Sequence, residues 1–249
     1  MKLILNPHYA NLRSALDNLD EAFAEGTSLR EKRNSIRVCR LGGLELNVKR
    51  YHAPRPLQAA IYTFLRKPKG LRAYEHAALI AAAGVETPEA VAYVERRSGG
   101  LLAESFFISL QCPYTRRFYE FGGRAVDNEV RDVATAFARM TAHLHEARLL
   151  HLDYSPGNIL FDRDADGQWH FSLVDTNRLR RGHVSIARGC ANFARLWGDT
   201  VFFSVMADAY AEARGADADM CRRLMLDARR RFWTRYVRRH GEPFPLGNL

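Results

Sequence analysis

Residues 151–160, HLDYSPGNIL, set His151, Asp153 and Asn158 in the pattern H-x-D-x-x-x-x-N. A further carboxylate, Asp175, follows the strand-like run 169–174, WHFSLV. Residues 159–161 and this run flank Asp166-Gly167, a strong signal for a tight hairpin. Such a hairpin returns Asn158 and Asp175 to the same end of a small sheet, close to Asp153. Three side-chain oxygen donors then converge. That set suits Mg²⁺, a hard ion that takes oxygen ligands and keeps positions for water and phosphate oxygens.

The rest of the composition sets bounds. A chain of 249 residues, 47% apolar and 26% charged, can bury a proper core as one large domain or two small lobes. It has no apolar run long enough to span a bilayer and no basic-then-apolar leader, which predicts a cytoplasmic protein. Cys39, Cys112, Cys190 and Cys221 are scattered, so neither a zinc site nor a disulfide framework is expected. Thirty-seven basic against twenty-eight acidic side chains give a net charge of +9. The excess favours polyanionic partners, whether nucleotide, phosphorylated glycolipid, anionic membrane or nucleic acid, without choosing among them.

Upstream, residues 7–24 have the apolar spacing of a helix that stops at Gly26. Residues 44–51 alternate as a strand, with Leu44, Leu46 and Val48 on one face and Asn47, Lys49 and Tyr51 on the other. Lys49 is thereby turned away from the core side, a position that also fits a plain solvated lysine. A helix over 71–83 carries Glu75 in its first turns. Strands follow at 90–95 and 101–110, with residues 109–113 as a hinge. From Asn128 a long amphipathic helix leads to His151, and helical patterns return over 191–214 and 218–240. The last holds Arg222, Arg223, Arg229, Arg230, Arg231, Arg235, Arg238 and Arg239. It reads either as a wet arginine-rich face or as a surface for membrane or substrate.

With these residues in hand the chain resembles the protein-kinase-like superfamily, most closely the lipopolysaccharide core sugar kinases that phosphorylate Kdo or heptose. The resemblance runs over about residues 30–197. It rests on Val48-Lys-Arg-Tyr51, on Glu75 followed by Gly84-Val-Glu-Thr-Pro88, on residues 151–160, and on Leu173-Val-Asp-Thr-Asn-Arg178. It implies an α+β bilobal fold, with an antiparallel-sheet N-lobe over 1–110 holding one main helix, and a mostly helical C-lobe over 111–249. It also implies ATP and Mg²⁺ as cofactors. Asp153 is then the catalytic base, Asn158 and Asp175 hold the metal, Lys49 grips the α/β-phosphates and Glu75 steadies Lys49.

Departures are equally informative. The loop between the first strands has Lys32, Arg33, Asn34 and Ser35 in place of a glycine-rich turn, so Lys32 and Arg33 are expected to cover phosphate. Leu152 stands where protein kinases carry an arginine, and Asp175-Thr-Asn177 lacks the glycine of D-F-G. These argue against a phosphorylation-switched protein kinase. The implied acceptor is a lipopolysaccharide precursor, Kdo-lipid A or heptosylated core, met at the cytoplasmic face of an anionic inner membrane, with the C-terminal arginines docking there. No nucleic-acid partner is expected. A kinase of another small molecule or of a protein, and a nucleotide-binding pseudokinase scaffold, remain alternatives.

Overall fold

The computed structural model describes residues 1–31 and 34–246 and divides into two compact units. The first comprises residues 1–81 and 87–113, the second residues 82–86 and 114–249.

The first unit is built on a six-stranded antiparallel sheet. Its strands are β1 (Lys2–Leu5), β2 (Thr27–Glu31), β3 (Asn34–Leu41), β4 (Leu44–Tyr51), β5 (Ala90–Ser98) and β6 (Leu101–Leu110), in the order β1-β5-β6-β4-β3-β2. Leu46, Val48, Val94, Phe106 and Ile108 form the core with Leu12, Leu16, Leu19 and Phe23 from the N-terminal segment. That segment is expected as one helix over 7–24. Instead it comprises two 3-10 turns, Pro7–Leu12 and Ala15–Asn18, and then α1 (Leu19–Glu25). The apolar spacing is met by short turns because Tyr9 leaves helical backbone geometry and breaks the first of them. Beyond β4 come α2 (Pro56–Ala60), a wide turn at Ile61–Leu65, and α3 (Lys69–Ala82), which carries Glu75.

The second unit is mostly helical. After β7 (Arg116–Arg117), α4 (Asn128–Glu146) is capped by Asp127, whose carboxylate accepts from Val130 N–H at 2.8 Å. It buries Val130, Val133, Phe137 and Leu144, the stripe its spacing predicts. Three strands follow, β8 (Leu149–His151), β9 (Ile159–Arg163) and β10 (Trp169–Leu173), the last two forming the expected hairpin in the register Ile159 to Leu173. Next is β11 (Leu179–Arg181), which pairs with β8. The expected helix over 191–214 is broken. α5 (Ile186–Asn192) ends early, and α6 (Thr200–Ala213) starts afresh at an Asp199 cap. Gly198 between them takes φ +140°, a backbone that a continuous helix cannot hold. α7 (Ala218–His240) closes the unit. Phe118, Phe121, Phe137, Phe161, Phe193 and Phe202 are fully buried and pack ring against ring, supplying much of the apolar burial that holds it together.

Candidate active site

The hairpin does what its sequence requires. Val174 N–H donates to the Asn158 carbonyl at 3.0 Å just beyond the Ile159–Leu173 pair, so the residue before Asp175 is bonded to Asn158. Within the 151–158 loop, Ser155 N–H donates to the Asp153 carbonyl at 2.9 Å and Asn158 N–H to the Ser155 carbonyl at 2.9 Å. Asn158 Nδ2 also donates to the Asp153 carbonyl, at 2.8 Å. That bond commits the amide nitrogen to the loop, leaving the amide oxygen as the end suited to a hard cation.

His151 joins the two halves of the site. It is completely buried. Its Nδ1 accepts from Asp153 N–H at 3.3 Å, and its Nε2 lies 3.2 Å from the Val174 carbonyl. An acceptor at Nδ1 and a donor at Nε2 define the neutral Nε2–H tautomer. A second tie comes from Leu152 N–H, which donates to the Arg178 carbonyl at 2.8 Å and extends the β8–β11 pairing.

Asp175 itself takes φ +56°, left-handed backbone that aspartate and asparagine tolerate better than other side chains. Its carboxylate accepts from Asn177 Nδ2. One carboxylate and one amide oxygen are few ligands for an all-protein cage. They suit Mg²⁺, which keeps waters and takes its remaining oxygens from phosphates. No cluster of three His, Cys, Asp or Glu side chains able to hold a metal occurs among the described residues.

Asp153 carries a feature that sequence spacing did not signal. Its Oδ1 is paired at 2.5 Å with Arg195, and Arg178 Nη1 stands 4.0 Å from its Oδ2. Arg195 also lies over the Phe232 ring of α7, 5.9 Å from its centroid. Arg178 closes the 173–178 run, where no role was read for it. Arg195 is 42 positions from Asp153 along the chain, and only the α5-to-α6 connection brings it to the loop.

Beneath the loop runs a buried polar chain. Arg214 donates to Tyr210 Oη at 2.5 Å, and that hydroxyl lies 2.9 Å from His145 Nδ1. His145 Nε2 meets Asn192 Oδ1 at 3.1 Å, and Asn192 Nδ2 donates to the His151 carbonyl at 3.1 Å. Burial pushes the His145 pKa down to about 4, so the ring is neutral at physiological pH. Gly189 permits this packing. A Cβ there would meet the Tyr210 hydroxyl at 1.9 Å.

The remaining predicted residues lie in the first unit. Lys49, in β4, is buried, with its ammonium over the Tyr51 ring. Glu75, on α3, has both carboxylate oxygens on Lys67 Nζ, at 2.7 and 2.8 Å. Among the described residues the ion-pair partner of Glu75 is thus Lys67 in place of the expected Lys49. The reason is local, since the short link from extended Arg66 to Pro68 delivers Lys67 to the start of α3. Lys32 and Arg33 lie outside the described residues.

The model of the family described as "Lipopolysaccharide kinase (Kdo/WaaP) family" matches residues 58–197, 140 of the 249 positions. The matched span holds Glu75, Asp153, Asn158, Asp175 and Arg195. A solved structure of "WaaP in complex with acyl carrier protein" is similar to the chain with a TM-score of 0.63 and 19% identity, over 95% of this chain and 100% of that one. At that identity the likeness speaks for the fold alone, an α+β bilobal protein-kinase-like architecture. No curated protein matches the chain.

Proposed function

Because the chain belongs to the lipopolysaccharide kinase (Kdo/WaaP) family, we propose that it transfers the γ-phosphoryl group of ATP to a sugar hydroxyl, of Kdo or of heptose, in the lipopolysaccharide inner core. The observation that carries this reading is the hydrogen-bonded unit formed by residues 151–158 and Val174, which sets Asp153, Asn158 and Asp175 on one framework.

In this reading Asn158 and Asp175 hold Mg²⁺, which supplies charge neutralisation to the phosphates. Asp153 orients the acceptor hydroxyl and accepts its proton. Lys49 takes the α/β-phosphates, and Lys32 and Arg33 cover phosphate. Glu75 steadies Lys49 once it leaves Lys67. The acceptor must also take the place of Arg195 on Asp153 Oδ1. A sugar bearing a carboxylate or phosphate next to the reacting hydroxyl does this best, because it offers Arg195 and Arg178 a replacement anion as the hydroxyl reaches Asp153. The neutral His145 and its chain through Asn192 to the His151 carbonyl hold the loop in place without titrating near neutral pH.

The test is incubation with ATP, Mg²⁺ and either Kdo-lipid A or heptosylated core, with the phosphate located by mass spectrometry. A phosphorylated sugar that disappears with Asp153→Asn supports the reading. ATP turnover that ignores both acceptors would point to another small-molecule or protein substrate, and nucleotide binding without turnover to a pseudokinase scaffold.

A further inference from the structure

Between β4 and α3 the chain turns its apolar side outward. Residues 55–67 read RPLQAAIYTFLRK. Leu57, Ile61, Phe64 and Leu65 stand at i, i+4, i+7 and i+8, one face of a helical segment. Their exposures are 76%, 36%, 73% and 83%.

The face is held open by its opposite side. Ala59 is buried. Thr63 Oγ1 donates to the Ala59 carbonyl at 2.7 Å and accepts from Leu102 N–H of β6 at 2.9 Å, which fixes the segment on the sheet. The last turn is a wide one closed by Arg66 N–H on the Ile61 carbonyl at 2.8 Å, a form that is rare and concentrates at functional sites. Four large apolar side chains in water within one short segment are not explained by folding, since their burial contributes nothing to the core.

The flanks identify what covers them. Arg55 and Arg66 are exposed at the two ends, and among the described residues neither side chain forms an ion pair. An apolar stripe edged by cations matches the boundary between acyl chains and anionic headgroups. A second copy of this chain fits poorly, because a two-fold contact across the stripe would set arginine against arginine at its ends.

We infer that residues 55–66 are a membrane-docking element. Leu57, Ile61, Phe64 and Leu65 enter the headgroup boundary of an anionic bilayer, and Arg55 and Arg66 contact lipid phosphate. The choice of a bilayer rests in part on the reading above, in which the acceptor is a glycolipid.

Sedimentation of the full chain with neutral phosphatidylcholine vesicles and with vesicles containing phosphatidylglycerol, at low and high salt, tests it. The variant Leu57→Ser/Phe64→Ser/Leu65→Ser changes only exposed positions and should weaken binding to anionic vesicles by roughly tenfold or more. Arg55→Gln/Arg66→Gln should weaken it by about threefold to tenfold at low salt and less at high salt. Vesicle affinity of the triple variant within about twofold of the parent would overturn the inference. So would a change in oligomeric mass by light scattering with vesicle binding unchanged, which would make the stripe a self-association face. Vesicle binding is read without turnover. A failure of the kinase assay therefore removes the functional reading alone, and a failure of sedimentation removes the docking element alone.

Discussion

Two surface segments are candidates for the proposed membrane contact, and they differ in what the fold leaves available. α7 carries eight arginines in sequence, from Arg222 to Arg239, and by count is the stronger candidate. In the structure three of the eight are already committed. Arg229 is only 1% exposed, donates at 2.8 Å to both the Gly198 and Leu246 carbonyls, and lies over the Phe203 ring. Arg222 is paired with Asp208 and Asp219, and Arg230 with Asp227. Residues 55–66 offer just two exposed arginines, but the large apolar side chains between them face water, whereas no large apolar side chain of α7 is exposed among the described residues. Charge in a sequence measures attraction at most, whereas docking needs uncommitted charge beside apolar area.

The comparison can first be calibrated at the site. Asp153→Asn should lower transfer by roughly 10²- to 10⁴-fold, to membrane-embedded and to soluble deacylated acceptor alike. A lesion in residues 55–66 should instead separate the two acceptors. If Asp153→Asn keeps near-normal turnover in a steady-state assay, the assignment of the base is wrong.

A second measure sets two buried groups against each other. Arg229 is carried inside as a cation on carbonyl partners, while His145, just as buried, is held neutral, its folded pKa near 4 against about 6.5 unfolded. Between those values the unfolded chain binds the proton first. The contribution is therefore fully present above pH 6.5 and lost as pH falls toward 4, by up to about 3 kcal/mol. Urea unfolding at a series of pH values should show the decline, and His145→Gln should flatten it. His170 has the opposite sign. Its bonds to Glu86, at 2.7 Å, and Asp164, at 2.9 Å, raise its pKa, so its stabilisation is fully present below the unfolded value and fades as pH rises through the folded one.

Within α7 the arginines should separate by burial. Arg229→Ala leaves two carbonyls without their donor and should destabilise by about 2–3 kcal/mol in urea unfolding. The smallest effect is expected from Arg230→Gln with Arg231→Gln, at most about 0.5 kcal/mol, because exposed ion pairs contribute little. The same pair should change vesicle binding by less than about twofold, given the thin contribution of each exposed charge in salt. A large loss of vesicle binding there, with residues 55–66 intact, would return the membrane role to α7.

Much of this protein could be read along one dimension. The H-x-D-x-x-x-x-N spacing, the Asp166-Gly167 turn and the alternation before Asp175 are short-range patterns, and local backbone chemistry is enough to bring Asn158 and Asp175 to one end of a hairpin. The alternation in β4 and the stripe on α4 were legible for the same reason, since strand and helix periods are written in adjacent residues. What the sequence could not determine depended on partners far apart in the chain or on competition between near-equal ones. Lys67 took Glu75 because a short link delivered it. Arg195 reached Asp153 only once α5 ended and the chain turned back, and Gly198 broke a helix whose apolar pattern continues through it. Above all, tertiary structure decided which arginines of α7 are buried or paired and which apolar residues of 55–66 stay in water. Exposure is a property of what packs against a residue, and no spacing rule along the chain encodes it.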